Sequence, residues 1–449
     1  MKAYLFFFLS LFAFLVISPL LTPHVKAEKP QIVNISIIIE NSTNFDVLSS
    51  WLDSLNYTHF TFVLWEQIED SILYNNTRLN KLKLFGEIIP RRDYLQQFSP
   101  QDRLTIIDNM IAKYNTKLGY TPKGVMMFIP DAYTLTYLYV KGFDYVQGYC
   151  FEQWAIDYMS MKGGFQLPYY ASDLHALIPS QSKGIIVFPH NTWDWVDSLK
   201  ISHDLNTHPI NLWKFFGNET LARDYWFKLI GYSLDASNPF GYVSIQFEWQ
   251  WLLNIGWKDI VKNWIQTLIT TRPYTFMTYG ETAQWFKQNY PQNPTYTVNF
   301  VSPYSNTRIE WLWNNQTRIA RIGQYVVSYI DYANQSPDKY ITQTKSINWS
   351  LPHNYDVNCI DISLDYKIDA LGGGYLRDKP HTSPYFYTEN LENFPAFYYV
   401  NNEMIKEIFP LWAKIFLIFA LLGICLFFVK RGLRKYRCVT ASNYEDICE

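Results

Sequence analysis

Leu84-Phe85-Gly86-Glu87-Ile88-Ile89-Pro90, then Ser99-Pro100-Gln101-Asp102, then Val125-Met126-Met127-Phe128-Ile129-Pro130-Asp131 is the stretch that decides the fold. Leu84 to Ile89 is a short apolar run of the kind a buried parallel strand uses. Pro90 and Asp93 break it, and Ser99 to Asp102 opens a helix. Ser99 can cap, Pro100 suits the first helical position, and Asp102 places an acid at the positive end. Leu104, Ile107, Ile111, Tyr114 and Leu118 make one apolar stripe, and Gly119 ends the helix. Val125 to Ile129 reads as a buried strand, a short helix closes at Gly142, and Tyr145-Val146 is a further strand. Such alternation predicts parallel strands with right-handed helical crossovers.

Working outward, Ile32 to Glu40 and His59 to Trp65 are strand candidates. They flank a helix, Phe45 to Leu55, with Val47, Leu48, Trp51, Leu52 and Leu55 on one face. Downstream, Gly184 to Pro189, Tyr242 to Glu248 and Tyr274 to Tyr279 read as strands, with helices at Asn218 to Tyr232, Lys258 to Thr271 and Thr282 to Asn289. Seven or eight strand units over residues 28–293 predict an α/β fold, a (β/α) barrel. An open doubly wound sheet is the alternative. From 294 to 368 the pattern alternates apolar and polar, in Tyr296 to Ser302, Arg308 to Trp313, Thr317 to Gly323 and Gln324 to Tyr332. That predicts a small antiparallel β-sandwich-like domain. Residues 369–407 are rich in Gly, Pro and Tyr and suit either an irregular cap or a stalk.

The two ends predict an exported, membrane-anchored protein. Residues 1–27 have the form of a signal peptide: Lys2, an apolar run from Tyr4 to Leu21, and Val25-Lys26-Ala27 as a cleavage site, with an uncleaved membrane anchor as the alternative because the apolar run is long. Residues 408–429 are long and apolar enough for a C-terminal transmembrane helix. Lys430, Arg431, Arg434, Lys435 and Arg437 follow, so residues 430–449 are expected as a cytoplasmic tail and the bulk of the chain outside the cell. Sequons at Asn34, Asn41, Asn56, Asn75, Asn218, Asn315, Asn334 and Asn348 agree with export and glycosylation. Of five cysteines only Cys150 and Cys359 fall in the exported part, which predicts a disulfide between them. Two separate buried thiols are the alternative. A net charge of −2 with no basic stripe outside the tail excludes nucleic acid as a partner. The chain has no P-loop, dinucleotide fingerprint, HExxH motif or nucleophile elbow, so no nucleotide and no cofactor are expected.

In a barrel of this kind the chemistry sits at the carboxyl ends of the strands. Glu40, Glu66, Asp131, Glu152, His190, Asp194 and Glu248 fall there, Glu281 follows the last strand, and Glu87 lies within the third with Arg91 and Arg92 just after it. Any one of them can instead be a helix cap or a solvated loop acid. Two facing carboxylates would serve glycoside hydrolysis, one as acid and the other as base or nucleophile. Arg91 and the aromatic rings of Trp154, Trp193 and Trp249 are candidate substrate-binding groups, although core packing is the commoner role of tryptophan.

Residues 33–148 resemble the NodB-type polysaccharide deacetylase barrel and its glycoside-hydrolase relatives. The resemblance rests on the strand ending at Glu40, Phe60-Thr61-Phe62-Val63, Gly86-Glu87-Ile88, Leu95 to Ser99, the helix ending at Gly119, Phe128-Ile129-Pro130 and Gly142-Phe143. In that family the segment after the Gly-Glu-Ile-like strand supplies two metal-binding histidines. No histidine lies between His59 and His175 here, and Arg91 or Arg92 stands about where the first would be. The acidic pair that ends the family's first strand is Glu40-Asn41. The resemblance therefore implies the fold, in a branch lacking the usual metal site, and no metal is expected. A displaced site from His175, His190, His203 and His208 matches no recognised spacing. Two functions follow: a surface hydrolase acting on glycans, or a catalytically inactive barrel that binds a glycan or a surface-layer partner.

Overall fold

The computed structural model describes residues 29–331 apart from 94, 96–97, 128–130, 149–166, 174–177, 181–182, 195, 199–204, 236–237, 316 and 324, together with 359–361, 366–368 and 374–376. The chain is a mixed α/β fold with parallel sheets followed by an antiparallel one. Strand β1 (Gln31–Ile39) is central, pairing in parallel with β2 (Phe60–Leu64) on one side and with β8 (Gly241–Glu248) on the other. Strand β3 (Gly86–Pro90) extends the sheet beyond β2, and β9 (Thr275–Phe276) joins the start of β1. From Ile32 to Ile39 every residue of β1 is buried, as a strand covered on both faces requires.

Helix α1 (Phe45–Asp53) covers this sheet through Phe45, Leu48, Trp51 and Leu52. The Trp51 ring lies 5.4 Å from Trp249 and 6.1 Å from Phe60, and its indole N–H donates to the Lys258 carbonyl. After the short α2 (Glu69–Leu73), helix α3 (Asn76–Phe85) absorbs Leu84 and Phe85, which the sequence pattern placed in the strand. Leu84 is 70% exposed, and Asn75 caps the helix by accepting from the Arg78 N–H. Strand β3 begins at Gly86, where a Cβ would stand 1.8 Å from the Phe60 carbonyl oxygen.

Helix α4 (Pro100–Leu118) has the expected ends: Ser99 accepts from the Asp102 N–H, and Gly119 takes the left-handed conformation at φ 80°. A second sheet follows with β4 (Gly124–Met126), β5 (Tyr145–Gln147) and β7 (Ile186–Phe188) parallel, and β6 (Tyr169–Tyr170) antiparallel to β7. Helix α5 (Ala132–Val140) connects β4 to β5. The two sheets meet at both edges. On one side Arg91 bridges Met126, and the Arg92 N–H donates to the Met126 carbonyl. On the other, the Thr192 N–H donates to the Ser244 carbonyl, and the Ser244 hydroxyl lies against the carbonyls of Pro189 and His190. Helices α6 (Pro209–Phe216), α7 (Glu219–Ser233), α8 (Trp249–Asn254), α9 (Lys258–Thr271) and α10 (Tyr279–Asn289) complete this part.

The antiparallel sheet orders β10 (Tyr296–Val301), β11 (Arg308–Trp313), β12 (Thr317–Ile322), β13 (Tyr325–Asp331) and β14 (Cys359–Asp361) in sequence. Tyr296, Val298 and Phe300 form its inner face. That face packs on the parallel part, Tyr296 against Phe240 and Phe300 against Tyr232, while Tyr169 meets Trp313. Among the described residues it is one sheet lying on the parallel part, where the sequence suggested a sandwich. Strands β15 (Tyr366–Ile368) and β16 (Gly374–Leu376) pair as a separate hairpin. No described helix is long and apolar enough to cross a membrane. The expected signal peptide (1–27), the 408–429 segment and the 430–449 tail lie outside the described residues.

Candidate active site at the carboxyl ends of the parallel strands

Glu248 is the last residue of β8, and its register partner on β1 is Ile38. Glu40 lies two residues beyond Ile38, so by the two-residue period its side chain emerges on the same face as Glu248, one step further out. Burial pushes Glu40 up, the negative charge of Glu248 pushes it further, and Arg91 offsets part of this, leaving its pKa at about 8. Its Oε2 is buried with no hydrogen-bond partner. Burial also raises Glu248, but the attraction and hydrogen bond of His208, with Arg91, overcome it and hold the pKa at about 2. The two neighbours are driven apart: at neutral pH Glu40 is protonated and Glu248 ionised.

His208 owes its geometry to the start of α6. Pro209 occupies the first helical position, and His208 is the cap. Its Nδ1 lies 3.2 Å from the Ile210 backbone nitrogen, and its Nε2 lies 2.6 Å from Glu248 Oε2, placed to donate to it. The His208 N–H in turn donates to Asn206 Oδ1 at 2.7 Å, which fixes the cap.

Arg91 follows β3, its guanidinium 4.1 Å from the centre of the Trp65 ring and its Nε donating to Asp93 Oδ2 at 2.6 Å. His190 follows β7 and is fully buried. Burial foremost, then the positive charge of Arg91, depress its pKa to about 3, so it is neutral, with Nε2 3.3 Å from the Gln147 carbonyl. Gly148 makes room for it: its φ is +127°, and a Cβ there would stand 2.2 Å from His190 Nε2.

The other expected residues lie elsewhere. Glu66 is exposed on a short turn after β2. Glu87 points between the sheets toward their amino ends, its Oε1 accepting from Thr61 Oγ1, the Tyr145 hydroxyl and the Gly280 N–H. Asp131 caps α5 through the Thr134 N–H and pairs with buried Arg103 at 3.4 Å. Asp194 accepts from the Tyr225 and Ser302 hydroxyls and the Asp197 N–H, tying the parallel part to the antiparallel sheet. Burial and the nearby Asp197 raise its pKa. Glu281 forms the capping box of α10 with Thr278 and meets His59 at 3.0 Å. Trp193 and Trp249 are buried in the core and present no face to a ligand. Glu152, Trp154 and Cys150 lie outside the described residues, as do Asn334 and Asn348, whereas Cys359 starts β14.

Among the sequons, Asn34 is a buried residue of β1 whose amide donates to the Met277 carbonyl and to Thr282, so in the folded chain it is closed to glycosylation. Asn56, Asn75, Asn218 and Asn315 are exposed, and Asn41 is half-buried. The sequence offers His208 only as a displaced metal ligand, and the His208-Pro209 helix start is the signal for its actual place. The donors present do not fit the metal site that the resemblance implies. Arg91 puts a cation among the carboxylates, and both ring nitrogens of His208 are engaged by protein. Among the described residues no group of three or more His, Cys, Asp or Glu could hold a metal ion.

A family model described as a Domain of Unknown Function with a solved structure (DUF3863) matches residues 90–312. No curated protein matches in sequence. Three solved structures are similar. A 4-alpha-glucanotransferase from Thermococcus litoralis has 12% identity and a TM-score of 0.37, over 68% of this chain and 67% of that one. A protein described as a polysaccharide deacetylase from Mycobacterium smegmatis has 11% identity and a TM-score of 0.42, over 61% and 96%. The catalytic domain of a peptidoglycan N-acetylglucosamine deacetylase from Eubacterium rectale has 8% identity and a TM-score of 0.31, over 58% and 93%. All three likenesses are distant.

Proposed function

We propose that the protein is a glycan-acting hydrolase of the glycosidase type, built on a NodB-like (β/α) barrel formed by the two parallel sheets. The observation that carries this is the pair of carboxylates on adjacent strand ends whose protonation is driven in opposite directions. Glu40, protonated up to about pH 8, delivers its proton to the leaving oxygen as the glycosidic bond breaks. Glu248, ionised, either takes a proton from the attacking water or attacks the anomeric carbon itself. His208 holds Glu248 in place, and Trp65, backed by Arg91, offers an aromatic wall beside them. No step is routed through a metal, because the donor set does not fit one.

The test is a screen of the purified protein against aryl glycosides and glycan oligomers, with Glu40→Gln and Glu248→Gln as controls. Turnover lost by a factor of about 10² to 10⁴ in both variants is the expected result. Binding without turnover in the wild type would favour the inactive, glycan-binding alternative instead. We further propose export by residues 1–27 and a single membrane anchor at 408–429, with residues 28–407 outside the cell. Secretion of a chain cut before Ile408 supports this, and its retention in membranes contradicts it.

A further inference from the structure

One layer below the two carboxylates lie two buried amides, each with one unused end. Gln246 precedes Glu248 by two residues on the same face of β8, and Gln147 ends β5; both are fully buried. Gln147 Nε2 donates to Ser36 Oγ at 2.7 Å and to the Tyr279 hydroxyl at 3.1 Å, while its Oε1 has no partner. Gln246 Oε1 accepts from Asn191 Nδ2 at 3.3 Å, while its Nε2 has none. The two amides share a neighbour: Ser36, which Gln147 grips, is the register partner of Gln246. Reversing the oxygen and nitrogen of either amide exchanges donor for acceptor and still leaves one end unused.

We infer that Gln147 and Gln246 form a subsite for a hydroxyl group beneath the Glu40–Glu248 pair. A hydroxyl both donates and accepts, so one such oxygen satisfies Gln147 Oε1 and Gln246 Nε2 together. A buried amide end without a partner is the usual mark of a bound water. A sugar hydroxyl takes that water's place when a glycan enters from the strand ends. The water or sugar would then be held from below while the carboxylates act from above, a consequence that rests on the acid–base reading of the site; the subsite itself does not.

The experiment is a crystal structure at a resolution that shows ordered waters, ligand-free and after soaking in chitotriose. The expected ligand-free result is one oxygen within hydrogen-bond distance of both amides. After soaking, a sugar hydroxyl at that position assigns the subsite to substrate, and an oxygen that stays separate assigns it to water. Amides bonded to each other or to side chains, with no oxygen between them, would overturn the inference. That outcome leaves the carboxylate pair untouched, whereas inactive wild-type protein with the oxygen in place removes the acid–base reading and keeps the subsite.

Discussion

Replacing His208 by leucine removes the donor that stands 2.6 Å from Glu248 Oε2. The carboxyl now sits at about 2 against an ordinary value of 4.5, a displacement worth about 3 kcal/mol. A group lowered on folding adds stability that is fully present above its unfolded pKa and is lost as pH falls through its folded one. For Glu248 that window runs from 4.5 down to about 2. Without His208 the charge and hydrogen bond that do most to lower Glu248 are gone, so its carboxyl rises from about 2 and most of this contribution is lost. The substitution also removes the cap acceptor of α6, which costs about 1 kcal/mol at any pH. Urea unfolding should therefore show a wild-type-minus-variant difference of about 1 kcal/mol near pH 2, growing to roughly 4 kcal/mol at pH 7. His208→Asn, which keeps a capping side chain, should lose the pH-dependent part and little else. A difference that is the same at both pH values would refute the pairing of His208 with an ionised Glu248.

Gly148→Ala puts a Cβ at φ +127° and 2.2 Å from His190 Nε2, so it should cost roughly 1–3 kcal/mol in unfolding and displace His190, visible as altered His190 ring resonances. Glu69→Ala strands the buried Arg92 guanidinium, which now donates to Glu69 at 2.6 and 3.0 Å; a loss of about 3–5 kcal/mol in denaturant unfolding is expected. Non-reducing peptide mapping of the secreted protein should recover Cys150 joined to Cys359, and two free alkylatable thiols would remove that bridge.

The order of elements was legible because strand and helix periods differ and the punctuation was strong. Ser99-Pro100 and Gly119 bound α4 in both readings. Tyr296, Val298 and Phe300 showed the antiparallel period and are the inner face of β10. The Leu84-Phe85 run reads as strand because an apolar pair does not reveal its period; it is the last turn of the helix that Asn75 opens and Gly86 ends. Strand β6 was invisible because a two-residue ladder beside Pro168 has no period at all. At the site, Glu40 and Glu248 were legible as acids ending strands. Asp131 and Asp194 read the same way, and what separates them is tertiary: Arg103 reaches one, Tyr225 and Ser302 the other. The His208-Pro209 helix start is a local signal, but the pairing of His208 with Glu248 is not, because the partner is forty residues away at the end of β8.

Two neighbouring carboxyls at the strand ends, Glu40 and Glu248, carry opposite protonation at neutral pH. A carbon-detected NMR titration of glutamate side chains, assigned with Glu40→Gln and Glu248→Gln, measures this directly and needs no substrate. Glu40 should titrate near 8 and Glu248 near 2. In Glu248→Gln the Glu40 midpoint should fall, since the neighbouring charge that raises it is gone. Both groups titrating together near 4.5 would contradict the account.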